Sequence, residues 1–318
     1  LPTARIGGLA IMASLTLAVL FYQTRTGEGI AVPLLLSALP VFAVGLAEDL
    51  GLFASPRRRL LAAGASAALF VMLTGQWLNS TDIPGLDHVL LWAPIGITFS
   101  VFLSVGVSHA FNLIDGLNGL SGSTALAASL ALAYIAHGSD LAAHRDILLL
   151  LAAAVVGFLV FNFPLGKIFL GDAGAYAIGH LLVWLSISIL WNAPNVTPLA
   201  VLLIFFWPIA DTLLAITRRL WRGAPIAQPD RMHFHQLVMR GVEIILLGRR
   251  KRRLANPLAT TLTLPFILMP IAAGALLQGD RAAAAAACAA FSLLFLCTYK
   301  AGMWLTPKLR RHAVQRPQ

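Results

Sequence analysis

Ten stretches of 17 to 21 residues, each rich in Leu, Ala, Val and Ile, recur along this chain and limit what it can become. They run approximately over Ile6–Tyr22, Ile30–Leu46, Leu60–Leu78, Val89–Val107, Leu120–Ala136, Ile147–Phe163, Ala175–Trp191, Pro198–Ile216, Pro257–Leu277 and Ala282–Tyr299. A hydrocarbon layer of roughly 30 Å needs about 20 apolar residues as a helix. Inside it every backbone N–H and C=O must be satisfied within the segment, which excludes open sheets, and the alternation of a barrel strand is absent. The expectation is an all-α, polytopic transmembrane helical bundle in which residues 1–318 form one membrane-embedded domain. Composition agrees, because 58% of the residues are hydrophobic and only 11% charged, too few to cover a water-soluble surface. Cys288 and Cys297 lie in one apolar stretch, so neither a disulfide framework nor a four-ligand zinc site is available. The first apolar stretch is followed by many others and reads as a span, not a cleaved signal. The chain starts at Leu1 without Met, so upstream sequence is expected.

The basic residues set the orientation. With loops assigned alternately to the two sides, Arg5, Arg57–Arg59, Lys167, the segment Arg218–Arg253 and the tail from Lys300 to Arg316 place 20 Lys and Arg on one side, against Arg25, Arg145 and Arg281 on the other. Cytoplasmic loops carry such an excess. Both ends of the chain, a long loop 217–256 and a basic tail 300–318 are therefore expected in the cytoplasm. The net charge of +10 has the same origin. "GRRKRRLA", Gly248 to Ala255, reads as a topology signal touching anionic membrane lipids in preference to a nucleic-acid patch, so no nucleic-acid partner is expected.

On that topology the unusual polar residues converge. Glu48 and Asp49 end the second span, Asn112, Asp115 and Asn118 end the fourth, Asp172 follows the sixth, and "PDRMHFHQ", Pro229 to Gln236, lies in the long loop, all on the cytoplasmic side. Glu28, Asp82, Asp87, Asp140, Asp146 and Asp280 fall outside and read as solvated positions. A spacing of three puts Asn112, Asp115 and Asn118 on one helical face, beside Gly116 and Gly119, which let a ligand or neighbour come close. Glu48 and Asp49 point about 100° apart and are expected to do different jobs. Gly171 and Gly174 bracket Asp172 at a helix start, where free N–H groups favour an anion or carboxylate. Carboxylates and amides with nearby cations at a membrane edge suit a divalent metal such as Mg²⁺, with Mn²⁺ as the alternative ion, and phosphoryl transfer involving a lipid.

His233 and His235 are two apart, off any common helical face, so a loop presenting both rings to a phosphate or nucleotide is expected, with zinc as the competing reading. His109 stands near the site; His180, within a span, reads as a packed, hydrogen-bonded residue. Asp211 is open between supporting the site and satisfying broken helix backbone.

"PTARIGGLAI" from Pro2, "AEDL" from Ala47, "NLIDGLNGLSG" from Asn112, "FNFPLGKIFLGDAGAY" from Phe161 and "PIAQPDRMHFHQLVMR" from Pro225 together resemble the ordered motifs of the polyprenyl-phosphate N-acetylhexosamine-1-phosphate transferase family, over nearly the whole chain. The resemblance implies transfer of a sugar 1-phosphate from a UDP-sugar to polyprenyl phosphate with Mg²⁺, releasing UMP, at the cytoplasmic face of a bacterial inner membrane. It implies Asp172 and Asp115 as metal ligands, with Asp115 and the substrate-binding candidate Asn112 near the phosphates. Asp49 joins Asp115 and Asp172 as a catalytic candidate, while Glu48, Asn118, Lys167, Arg231, His233 and His235 are substrate-binding candidates. Glu48 stands where an Asp pair usually begins, Asn118 where a second Asp is usual, and Gln236 where a third histidine is frequent. Members usually have a span before "PTARIGG", so a further helix is expected upstream. The interrupted histidine pattern favours a simple UDP-N-acetylhexosamine donor, with the phospho-muramoyl-pentapeptide transfer of peptidoglycan synthesis as the runner-up. Whether Asp49 acts as a base or a carboxylate attacks covalently stays open, as does a homodimer. From other classes, an anion transporter lacks the expected internal repeat and midplane charge, and a non-catalytic lipid-phosphate scaffold remains.

Overall fold

The computed structural model describes residues 3–26, 29–52, 55–223, 232–247 and 251–314. The described residues form helices and no strand: α1 (Gly7–Thr26), α2 (Ala31–Asp49), α3 (Pro56–Thr74), α4 (Leu86–Leu90), α5 (Ala93–Ile114), α6 (Leu120–Gly138), α7 (Ala142–Asn162), α8 (Gly171–Asn192), α9 (Pro198–Ile204), α10 (Phe206–Trp221), α11 (Phe234–Val242), α12 (Arg252–Leu276) and α13 (Arg281–Val314). Eight of them are long and apolar enough to cross a membrane. The third expected span is a 19-residue helix of a different kind, because α3 opens with Arg57, Arg58 and Arg59. The eighth is two helices, α9 and α10, bent by 78° at Phe205. The long loop 217–256 is also partly helical: α10 continues to Trp221, and α11 leads into one π-helical turn, Glu243–Leu247. As far as Val314, the basic tail continues α13, a single helix of 34 residues. Residues Gly248 to Arg250 of the basic run, and Arg231, lie outside the described residues.

The bundle is built around α8, whose residues are buried almost throughout. With little hydrophobic force between helices in lipid, close approach comes from small residues. Gly8 of α1 packs on Gly174, where an added Cβ would lie 2.2 Å from the Gly174 nitrogen, and Gly45 of α2 packs on Ala173 with 2.6 Å available. Side chains turned outward are apolar instead, among them Leu17, Met72, Phe102 and Val160, as a lipid surface requires. Pro40 interrupts the α2 ladder, and the next N–H, that of Val41, donates to Ser66 Oγ of α3 at 3.0 Å. His180 sits in the centre of the bundle against Ser37 Oγ at 2.9 Å. The close approaches at Gly8 and Gly45 hold the first turn of α8 against α1 and α2 at the basic end of the bundle.

Candidate active site

Gly171 starts α8 with φ +78°, and a side chain there would also meet the Asp49 carboxylate at 2.5 Å. Only glycine satisfies both demands. The first N–H groups of a helix have no partner within it, and here a carboxylate from another helix supplies one. Asp49 Oδ1 accepts the Asp172 N–H and Oδ2 the Ala173 N–H, each at 2.9 Å. Asp49 thereby fixes the start of α8, and the Asp172 side chain is left to accept a 2.7 Å hydrogen bond from Asn112 Nδ2.

Asn112, Asp115 and Asn118 do not share one helical face, because α5 ends at Ile114 with Asp115 as its C-terminal cap. Asn118 lies in the turn that Gly119, φ +81°, carries into α6. Its Nδ2 donates to the Pro164 carbonyl at 3.1 Å, its N–H to Asn256 Oδ1 at 2.8 Å, and its carbonyl accepts from Thr260 Oγ1 at 2.7 Å. Asn162 joins the same corner: its Oδ1 accepts the Gly119 N–H at 2.6 Å and its Nδ2 donates to the Ile168 carbonyl at 2.8 Å.

These segments enclose a cleft of about 270 Å³ lined by Asn112, Asp115, Asn118, Asn162, Asp172 and Asn256, with Arg5 as its cation. Among the described residues the Asp115 carboxylate accepts no hydrogen bond. Burial, then the nearby Asp172 and Asp49 carboxylates, push its pKa up to about 7, and Arg5 opposes them. A half-buried carboxylate without a donor, lining the cleft beside a second carboxylate, is a group suited to a cation. No three His, Cys, Asp or Glu side chains among the described residues gather into a metal cluster, so the zinc reading has no ligand set there. Two carboxylates facing an open cleft do fit Mg²⁺, which takes one or two from the protein and completes its shell with water and phosphate oxygens.

Several substrate-binding candidates lie elsewhere. Glu48 is turned away from the cleft, buried in an ion pair with Arg59 of α3 at 2.7 Å, and its Oε1 accepts the Ser55 N–H at 3.1 Å. Arg59 in turn reaches Tyr176, whose ring packs on His109. Lys167 is exposed and its side chain is not in the cleft lining, so the cation there is Arg5. His233 and His235 are buried, their rings stacked on each other 5.8 Å apart with both Nδ1 atoms toward Asp211, and neither lines the cleft. Arg5 and Asn162 lie within the motifs that begin at Pro2 and Phe161, but, as for Asn256, nothing in their spacing marks them as site residues. They are single polar side chains in segments far apart in sequence, and only the packing joins them.

Residues 30–190 match the family model described as glycosyl transferase family 4. The chain is 28% identical over 236 residues to a probable undecaprenyl-phosphate N-acetylglucosaminyl 1-phosphate transferase of Bacillus subtilis, covering 74% of this chain and 65% of that protein. It is 30% identical over 283 residues to the decaprenyl-phosphate N-acetylglucosaminephosphotransferase of Mycobacterium tuberculosis, covering 79% and 68%. An undecaprenyl-phosphate alpha-N-acetylglucosaminyl 1-phosphate transferase of Yersinia pestis is 26% identical over 240 residues, covering 74% and 65%. The chain thus spans about two thirds of the length of these relatives, 65% of the first. With its five motifs in order and its helices packed around one carboxylate cleft, this multi-pass membrane protein belongs to glycosyl transferase family 4, alongside polyprenyl-phosphate N-acetylglucosamine-1-phosphate transferases.

Proposed function

We propose that the protein transfers N-acetylhexosamine 1-phosphate from a UDP-linked donor to polyprenyl phosphate, releasing UMP, in a bacterial cytoplasmic membrane with the cleft facing the cytoplasm. N-acetylglucosamine is the sugar we assign, from the names of the relatives. The observation that carries the reading is the cleft itself: the unpartnered Asp115 carboxylate and the Asn112-bound Asp172 carboxylate, with Arg5, at the basic end of an apolar bundle.

The lipid phosphate is mostly a dianion at pH 7, since the second pKa of a phosphate monoester is about 6. It needs no base to act as nucleophile. Its oxygen bonds to the sugar-bearing phosphorus of the donor, the bond from that phosphorus to the bridging oxygen breaks, and UMP leaves with the bridging oxygen. The obstacle is repulsion, on the order of 4 kcal/mol for each pair of unit charges at 4 Å and an effective dielectric of about 20. We assign Asp115 and Asp172 to hold Mg²⁺, which when bound neutralises phosphate charge and stabilises the departing UMP. Arg5 holds a phosphate oxygen. Asn112 keeps the Asp172 carboxylate oriented, and Asp49, with both oxygens accepting α8 N–H groups, keeps Asp172 at its station and is not the base.

Incubating the purified protein with polyprenyl phosphate, Mg²⁺ and a panel of UDP-sugars tests this. UMP and polyprenyl diphospho-N-acetylglucosamine are the expected products. UMP only with the muramoyl-pentapeptide donor would move the protein to peptidoglycan synthesis, and UDP as product would show that the sugar travels without its phosphate.

A further inference from the structure

Asp211 is a buried carboxylate that the transfer reaction does not use. It lies on α10, just past the 78° bend, and is 3% exposed. Its Oδ1 accepts the Phe234 N–H at 3.1 Å, which caps the start of α11. Its Oδ2 lies 3.0 Å from His233 Nδ1 and 4.0 Å from His235 Nδ1. A carboxylate only accepts, so the proton is on Nδ1 of His233 and the ring is held in one tautomer and one orientation. The His235 ring stacks nearly parallel to it, 11° between planes, and is buried, with no partner for its Nε2 among the described residues. That nitrogen rests on Gly116, 2.7 Å from where a Cβ would stand. Gly116 follows Asp115 directly. A continuous path of contacts therefore runs from α10 through the two rings to the turn that presents Asp115.

We propose that Asp211 is a positioning residue for that turn: through His233 and His235 it fixes the backbone at Gly116 and so the place of the Asp115 carboxylate in the cleft. This rests on the transferase reading of the cleft. The histidines then act as a buttress behind a carboxylate, and their loss is felt in turnover more than in donor binding.

Two variants test it. Asp211→Asn replaces an acceptor by a group that can donate to His233, and Gly116→Ala leaves Asp211 intact but displaces His235. Each is expected to lower kcat about 10- to 100-fold, the usual cost of losing a group that orients a metal-binding side chain, with KM for the UDP-sugar within about 3-fold of wild type. Combined, they should cost no more than the worse single change, because both break one path. ¹⁵N spectra of histidine-labelled protein provide a readout independent of turnover: the wild type should show His233 protonated on Nδ1, and Asp211→Asn should lose that signature while Gly116→Ala keeps it. Wild-type kcat in either variant, a loss confined to KM, or losses that multiply in the double variant would overturn the proposal. If Asp211→Asn does not fold, the kcat and KM of Gly116→Ala decide. If the wild type releases UMP from no donor, the transferase reading fails and with it this role, whatever the histidine spectra show.

Discussion

At the level of single residues, Asp115 and Asp172 line one cleft and differ in their surroundings. Asp172 is held by Asn112, whereas Asp115 is half-buried and accepts no hydrogen bond among the described residues, and desolvation pushes its pKa up to about 7. A cation must displace the proton that Asp115 binds below that value. Mg²⁺ affinity is therefore expected to fall as pH drops through 7 and to level off above it, with a proton released per ion bound at pH 6; calorimetry in two buffers of different ionisation enthalpy measures that release. Asp172→Asn, which removes charge and keeps size, should reduce UMP release by about 10²-fold or more, the scale seen when one electrostatic contact to a transition state is lost, while the variant still purifies as a folded membrane protein. Glu48 calls for a different expectation. Glu48→Asp is too short to keep Arg59, so it should lower the thermal midpoint, with a cost of about 1–3 kcal/mol for a buried hydrogen bond to a charged group. Arg59→Gln should do the same, and the double variant should be little worse than either. Additive losses would mean that the pair is not the reason Glu48 is there.

Among the elements, α8 depends most on its neighbours. Its first turn has Asp49 as an external cap and two glycines, Gly8 and Gly45, as the surfaces on which it lies. Gly8→Ala places a methyl group 2.2 Å from the Gly174 nitrogen, a backbone atom that cannot swing away. The helices must part, at a cost of about 1–3 kcal/mol for an overpacked contact. The expected outcome is a lower midpoint for unfolding in detergent together with reduced turnover, because the displaced turn carries Asp172. A substitution at Gly64, which has open space around it, is the control and should leave both unchanged.

For the whole molecule, the 20 to 3 distribution of basic residues divides the bundle into two ends. In a variant without Cys288 and Cys297, an impermeant maleimide added to intact cells should label Asn195→Cys, exposed at the far end, and not Leu52→Cys, exposed near Asp49. Labelling of Leu52→Cys from outside would reverse the orientation. The sequence alone determined the helical class and the segments near the membrane, because hydrocarbon leaves a backbone few alternatives, and its ordered motifs announced the family. Asp115, Asp172 and Asn112 were visible as candidates because each interrupts an apolar run. The tertiary structure decided what those residues touch. Asp49 caps a helix 123 residues away, and Glu48, its neighbour, points to Arg59 instead. The cleft takes its cation from Arg5, not Lys167, and the histidines turn inward to Asp211. None of this is periodic or local. Apolar spacing determines which segments become helices, but which polar side chain meets which is settled by where small residues let the helices touch, and those contacts join segments separated by most of the chain.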